Sequence, residues 1–178
     1  MNTAAKEKMD ADISRITIAN EISPARIHIA EGEHVKSFFV VQVALKRKDF
    51  DERTIATISK LIPQNMLLVL ECGGEAKLAI YHTKLMQTDW QQKDSLSIEL
   101  KGLNLDTVWE SIIVQVGGVQ IESSNTLDEQ IEVDDRLQRL EKEIDRLDRL
   151  ARKEKQPKKK FELAQQIQKL KKELGELQ

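Results

Sequence analysis

The chain has 178 residues, with 28 Lys and Arg against 30 Asp and Glu, 33% charged and only 4% aromatic. That length allows one globular domain plus an appendage, and a lone cysteine, Cys72, excludes an internal disulfide and fits a reducing compartment. The first eight residues have no apolar signal core, and the longest apolar run, Phe38 to Leu45, is broken by Gln42 and too short for a bilayer, so a soluble cytoplasmic protein is expected.

Residues 2–13 read as a short polar helix or a frayed end. Ile16–Ala19 and Arg26–Ala30 are short β-type runs on either side of the turn signal Ser23-Pro24. Ser37–Leu45, rich in Phe and Val and apolar on both faces, is the strongest strand and belongs in the centre of a sheet. Asp51 can cap a helix that carries Ile55, Ile58 and Leu61 on one face and stops before Pro63. Met66–Cys72 and Glu75–Tyr81 flank Gly73-Gly74, a hairpin signal because such turns need positive φ at both central residues. Ser95–Leu100 reads as one more strand. Asp106 opens a helix with Val108, Trp109, Ile112, Ile113 and Val116 inward, closing at Gly117-Gly118. A loop through Ser123-Ser124-Asn125-Thr126 leads to a helix from about Leu127.

The tail has its own periodicity. Folded at Pro157, it brings Leu137 to Leu177, Leu140 to Leu174, Ile144 to Leu170, Leu147 to Ile167 and Ala151 to Leu163. Each arm keeps the alternating four-three spacing of a coiled-coil seam, and proline both breaks a helix and pushes Gln156 out of the α region. Glu141 and Lys171 fall at flanking positions where they can pair. The expected fold is therefore α+β: a small mixed or antiparallel sheet with two or three helices over residues 1–125, then an antiparallel coiled-coil helical hairpin over 126–178.

Charge is unevenly spread. Residues 1–148 carry 18 basic and 26 acidic side chains, whereas the hairpin tip carries Arg149, Arg152, Lys153, Lys155, Lys158, Lys159 and Lys160 against Glu154 alone. A rigid arm ending in clustered cations suits sequence-independent contact with phosphates. Phe161 is the one aromatic beside them, too few for base stacking. A weaker pattern is Asp89 followed by Glu99-Leu100-Lys101, the acid-then-Glu-x-Lys order of many metal-dependent nucleases, in which two carboxylates hold Mg²⁺ and the lysine steadies the attacking water. The same alternation is what a half-exposed strand shows. His28, His34 and His82 are scattered, the glycine pairs lack a following Lys-Ser/Thr, and Ser123-Ser124 has no local histidine, so no metal site, cofactor or nucleophile is read.

Several segments together resemble one bacterial family of unknown function: Ile22-Ser-Pro-Ala-Arg-Ile-His-Ile29, Ile62-Pro-Gln-Asn-Met-Leu-Leu-Val-Leu-Glu71, Leu100-Lys-Gly-Leu-Asn-Leu-Asp-Thr-Val108, Arg152-Lys-Glu-Lys-Gln156 and Leu170-Lys-Lys-Glu-Leu174. The resemblance covers nearly the whole chain, and its members usually carry a few tens of residues more at the N-terminus. Members are often encoded beside DNA methyltransferases and helicases of restriction-like defence systems. The resemblance thus implies a DNA-centred setting and such a protein as partner, and supplies no active site. The expectation is a non-catalytic accessory protein that docks a protein partner and offers its basic tip to nucleic acid. The rival readings are a small Mg²⁺-dependent nuclease and a purely structural module that forms homo-oligomers.

Overall fold

The computed structural model describes residues 3–122 and 125–177, in two compact units, 1–120 and 121–178. The first unit runs α1 (Thr3–Asp12), β1 (Ile13–Ile22), α2 (Pro24–Ile27), β2 (Phe38–Leu45), α3 (Glu52–Leu61), β3 (Met66–Cys72), β4 (Glu75–Tyr81), β5 (Leu85–Gln87), β6 (Gln91–Gln92) and α4 (Leu105–Gly117). Its sheet is ordered β1-β2-β3-β4-β5, with β6 also on β4. Every pairing is antiparallel except β2 with β3, which are parallel and joined through α3.

Strand alternation sends β2 to two cores. Val41, Val43 and Leu45 join Leu68 and Leu70 of β3 and Ile55 of α3 on one face. Phe38, of opposite parity, meets Trp109 of α4 at 5.1 Å between ring centroids, so α4 covers the other face. The expected central strand, the α3 helix with its Asp51 cap and the Gly73-Gly74 hairpin are all present; both glycines have positive φ, 60° and 86°.

Four expectations are corrected. Arg26–Ala30 is not a strand: Pro24 at the first helical position favours a turn of helix, which ends at His28 with φ 54°. Ser95–Leu100 is not a strand either, because β5 and β6 already occupy the free edge of β4; Glu99 instead exchanges backbone hydrogen bonds with the Gln115 side chain of α4, donating at 3.0 Å and accepting at 2.8 Å. Leu61 is 54% exposed rather than inward. Finally, α4 starts at Leu105, one residue before the expected Asp106, with Asn104 as its cap, whose side chain accepts the Thr107 amide. That frees the Asp106 carboxylate to accept the amides of Glu33 (2.6 Å), Val35 (2.7 Å) and His34 (3.1 Å), which hold its pKa below the usual carboxylate range. Asp12, only 2% exposed, ties the start of the sheet to the β2–α3 loop by accepting from Arg47 Nε (2.9 Å) and Nη2 (2.7 Å) and from the Asp51 amide (3.0 Å).

The second unit is a helical hairpin of α5 (Leu127–Lys153) and α6 (Pro157–Glu176). Thr126 and Glu129 form a capping box at its start. Ser123 and Ser124, singled out in the sequence, lie outside the described residues. No helix among the described residues is long and apolar enough to cross a membrane.

Candidate nucleic-acid interface

The basic tip is positioned by the packing of the hairpin beneath it. Ile144, Leu147 and Ile167 are buried between the arms, with Ala151, Leu163, Leu170 and Leu174 packed around them. Leu140 is also buried, whereas Leu137 and Leu177 are half-buried. Arg136 on α5 donates to Glu173 on α6 at 2.7 Å, so the antiparallel arms are joined by this pair rather than by Glu141 and Lys171. At about 1.5 Å per residue, α5 is roughly 40 Å long.

The turn uses the acid of the basic run. Glu154 follows α5, and its carboxylate accepts the Gln156 amide at 2.8 Å, two residues on. That bond is the main reason its pKa lies below the ordinary glutamate range, with smaller contributions from the Lys155 amide and the Lys159 charge. Pro157 then starts α6, where its missing N–H costs nothing.

The seven tip cations fall into two groups. Arg149 and Arg152 reach back along α5 to Asp145 (4.0 Å) and Asp148 (3.5 Å). Both arginines are about four-fifths exposed, so these pairs contribute little and yield readily to a competing anion. Among the described residues, Lys153, Lys155, Lys158, Lys159 and Lys160 enter no ion pair, and the Lys159 charge acts on Glu154. Lys158, Lys159 and Lys160 also stand at the start of α6, a turn with no acidic residue. The N-terminus of a helix carries about half a positive charge, so three lysines there oppose the macrodipole and concentrate positive potential at one end. Leu150, 45% exposed, sits between two open hollows of about 460 and 390 Å³, one including Lys159 and the other Arg149, with Lys153 lining both.

The Asp89, Glu99, Lys101 set is placed as follows. Glu99 and Lys101 lie in an irregular segment and form an ion pair with each other, while Asp89 acts electrostatically on Lys77. Among the described residues no three His, Cys, Asp or Glu side chains are grouped to hold a metal ion. Lys77 itself escaped the sequence reading. It is 8% exposed on β4, its ammonium over the rings of Phe50 (4.9 Å) and Trp90 (5.2 Å), and burial lowers its pKa. The signal for it was weak: a lysine between Ala76 and Leu78 in an otherwise apolar strand.

No curated protein and no solved structure matches the chain. The family described as "Domain of unknown function (DUF4391)" matches residues 1–174, nearly the whole chain, both units included, and the protein belongs to that family.

Proposed function

We propose that the protein is a non-catalytic accessory factor of the bacterial cytoplasm whose hairpin presents a basic tip to nucleic acid. The observation that carries this reading is the start of α6. Three lysines stand where the helix dipole favours acids, and the acid at the turn is occupied by a backbone amide. A stability-driven surface would place Asp or Glu there, so the local conflict points to a ligand that repays it. A phosphate backbone does so by neutralising the lysines and releasing condensed counterions. The neighbourhood of DNA methyltransferases and helicases implied by the resemblance supplies the wider setting, a restriction or antiphage system with such a protein as partner, and favours DNA over RNA.

Duplex binding measured against salt tests the tip. Four phosphate contacts give a slope of roughly −3.6 in log affinity per log salt. Changing Lys158, Lys159 and Lys160 together to Gln flattens the slope by up to about three units and leaves base-sequence preference absent in both proteins. Binding that is independent of salt, or identical in the triple variant, rejects the reading and leaves the tip a solvated turn.

A further inference from the structure

The first unit holds a second concentration of cations, on residues other than those assigned to the tip. A cleft of about 440 Å³ lies at the entry to β2 and β3, bounded by the 31–37 loop, the end of α3 and Tyr81 at the end of β4. His34, Lys36 and Lys60 line it together with Ser37, Asn65 and Tyr81, and no carboxylate is among its lining residues.

Its walls are held in place before any ligand arrives. The loop that carries His34 and Lys36 is clamped by the three amide bonds to Asp106. Gly32 is required beneath it, since a Cβ there would lie 2.4 Å from Asp106 Oδ1. Lys36 folds back to donate to the Gly32 carbonyl at 2.9 Å. On the opposite wall the Asn65 carbonyl accepts the Phe39 amide at 2.9 Å, fixing the chain as it enters β3, and the Lys60 ammonium rests 5.0 Å from the centre of the Tyr81 ring. His34 feels the charge of Asp106, and Lys36 is paired with Glu31 at 3.4 Å, with both side chains of that pair about 60% exposed. So exposed a pair is weak, and a doubly charged oxyanion competes with it.

We propose that this cleft binds a phosphate monoester, with Lys36 and Lys60 supplying charge and Ser37, Asn65 and Tyr81 supplying neutral hydrogen bonds. Two sources present that group: a free mononucleotide, or the 5′-phosphorylated end of a nucleic-acid strand. The inference does not depend on the tip, because none of its residues belongs to the hairpin.

The test uses the full chain carrying the three tip Lys→Gln changes, so that backbone binding at the tip does not mask the cleft. Calorimetric titrations are run with a 5′-mononucleotide and with one short single strand bearing either a 5′-phosphate or a 5′-hydroxyl. Saturable mononucleotide binding identifies the free ligand as a sufficient source. Binding of the phosphorylated strand at least tenfold tighter than the hydroxyl strand, without mononucleotide binding, identifies the strand end. In either case Lys36→Gln with Lys60→Gln weakens binding tenfold or more, and Lys36→Arg retains it. Lys60 lies in the last turn of α3, where its charge also offsets the helix dipole, so Lys36→Gln alone is the cleaner arm and a thermal melt accompanies each variant. No saturable binding of any phosphate ligand, or binding unchanged by the double variant in a folded protein, overturns the proposal.

Discussion

The two units handle charge in opposite ways. In the first, carboxylates are drawn into the structure: Asp12 is 2% exposed and meets Arg47 and the Asp51 amide, and half-buried Asp106 gathers three loop amides. In the hairpin, the cations of the tip project into solvent and their ion pairs are exposed, while the arms are held by an apolar seam and the Arg136–Glu173 pair. The carboxylates drawn into the first unit are therefore structural, whereas the tip cations of the hairpin hold nothing together. Substitution and salt should separate them.

The largest expected effect is Leu147→Asp. Leu147 is 5% exposed in the seam, and losing its burial costs about 1.5–3 kcal/mol before the unpaired charge adds several more. The hairpin should unfold while the first unit stays folded, seen as lost helical circular dichroism with the remaining thermal transition retained. If both units melt together, their separation is wrong.

Asp12→Ala comes next. Breaking a buried pair typically costs about 3–5 kcal/mol, but Arg47 is 60% exposed and can rehydrate, so about 2–3 kcal/mol is expected, confined to the first unit. Acid probes the carboxylates of the first unit. The pKa of Asp12 is lowered in the fold, chiefly by the Asp51 amide, as that of Asp106 is by the Val35 amide. A lowered folded-state pKa stabilises above the unfolded value, near 3.8, and that contribution disappears as pH falls through the folded value. The first unit should lose stability below about pH 4, and Asp12→Asn should blunt that loss in an acid titration followed by fluorescence.

Legibility divides along the same line. The hairpin could be read because its seam repeats locally and Pro157 marks the fold point. β2, α3 and the β3–β4 hairpin were legible for similar reasons: a dense apolar run, a cap and two turn glycines. What failed depended on partners distant in sequence. Ser95–Leu100 has the alternation of a strand, yet the edge it needed was taken by β5 and β6, which at three and two residues are too short to show a period. The Asp106 clamp spans more than 70 residues, and nothing in its local sequence announces it. The basic tip was legible as composition; that it opposes a helix dipole needed the start of α6 to be placed. The cleft around Lys36 and Lys60 had no sequence signal at all, because three separate segments form it.

A smaller effect tests the foot of the hairpin. Thr126→Ala removes the hydroxyl that accepts the Glu129 amide and should cost about 1 kcal/mol. Thr126 and Glu129 form the capping box that precedes the helix start at Leu127. Hydrogen exchange should show faster opening of the first turn of α5 with the tip turn unaffected. Equal acceleration at both ends would mean that the hairpin opens as one piece.

The smallest effect on folding carries the sharpest sign. Most losses of a surface charge are neutral or slightly destabilising, but Lys158, Lys159 and Lys160 stand against the positive end of α6. Replacing all three by Gln should remove that repulsion and relieve the mutual repulsion of the lysines. None of the three is buried, so no packing is lost. Stability of the free hairpin should rise by about 0.5–1 kcal/mol at low ionic strength, and the gain should fade as salt screens the dipole. Duplex DNA should reverse the order: bound to DNA, the unchanged protein should melt higher than the triple variant, because a ligand that binds only the folded state stabilises it by mass action. A triple variant less stable than the parent without DNA would show that the lysines serve the turn itself, and would remove the conflict on which the proposed interface rests.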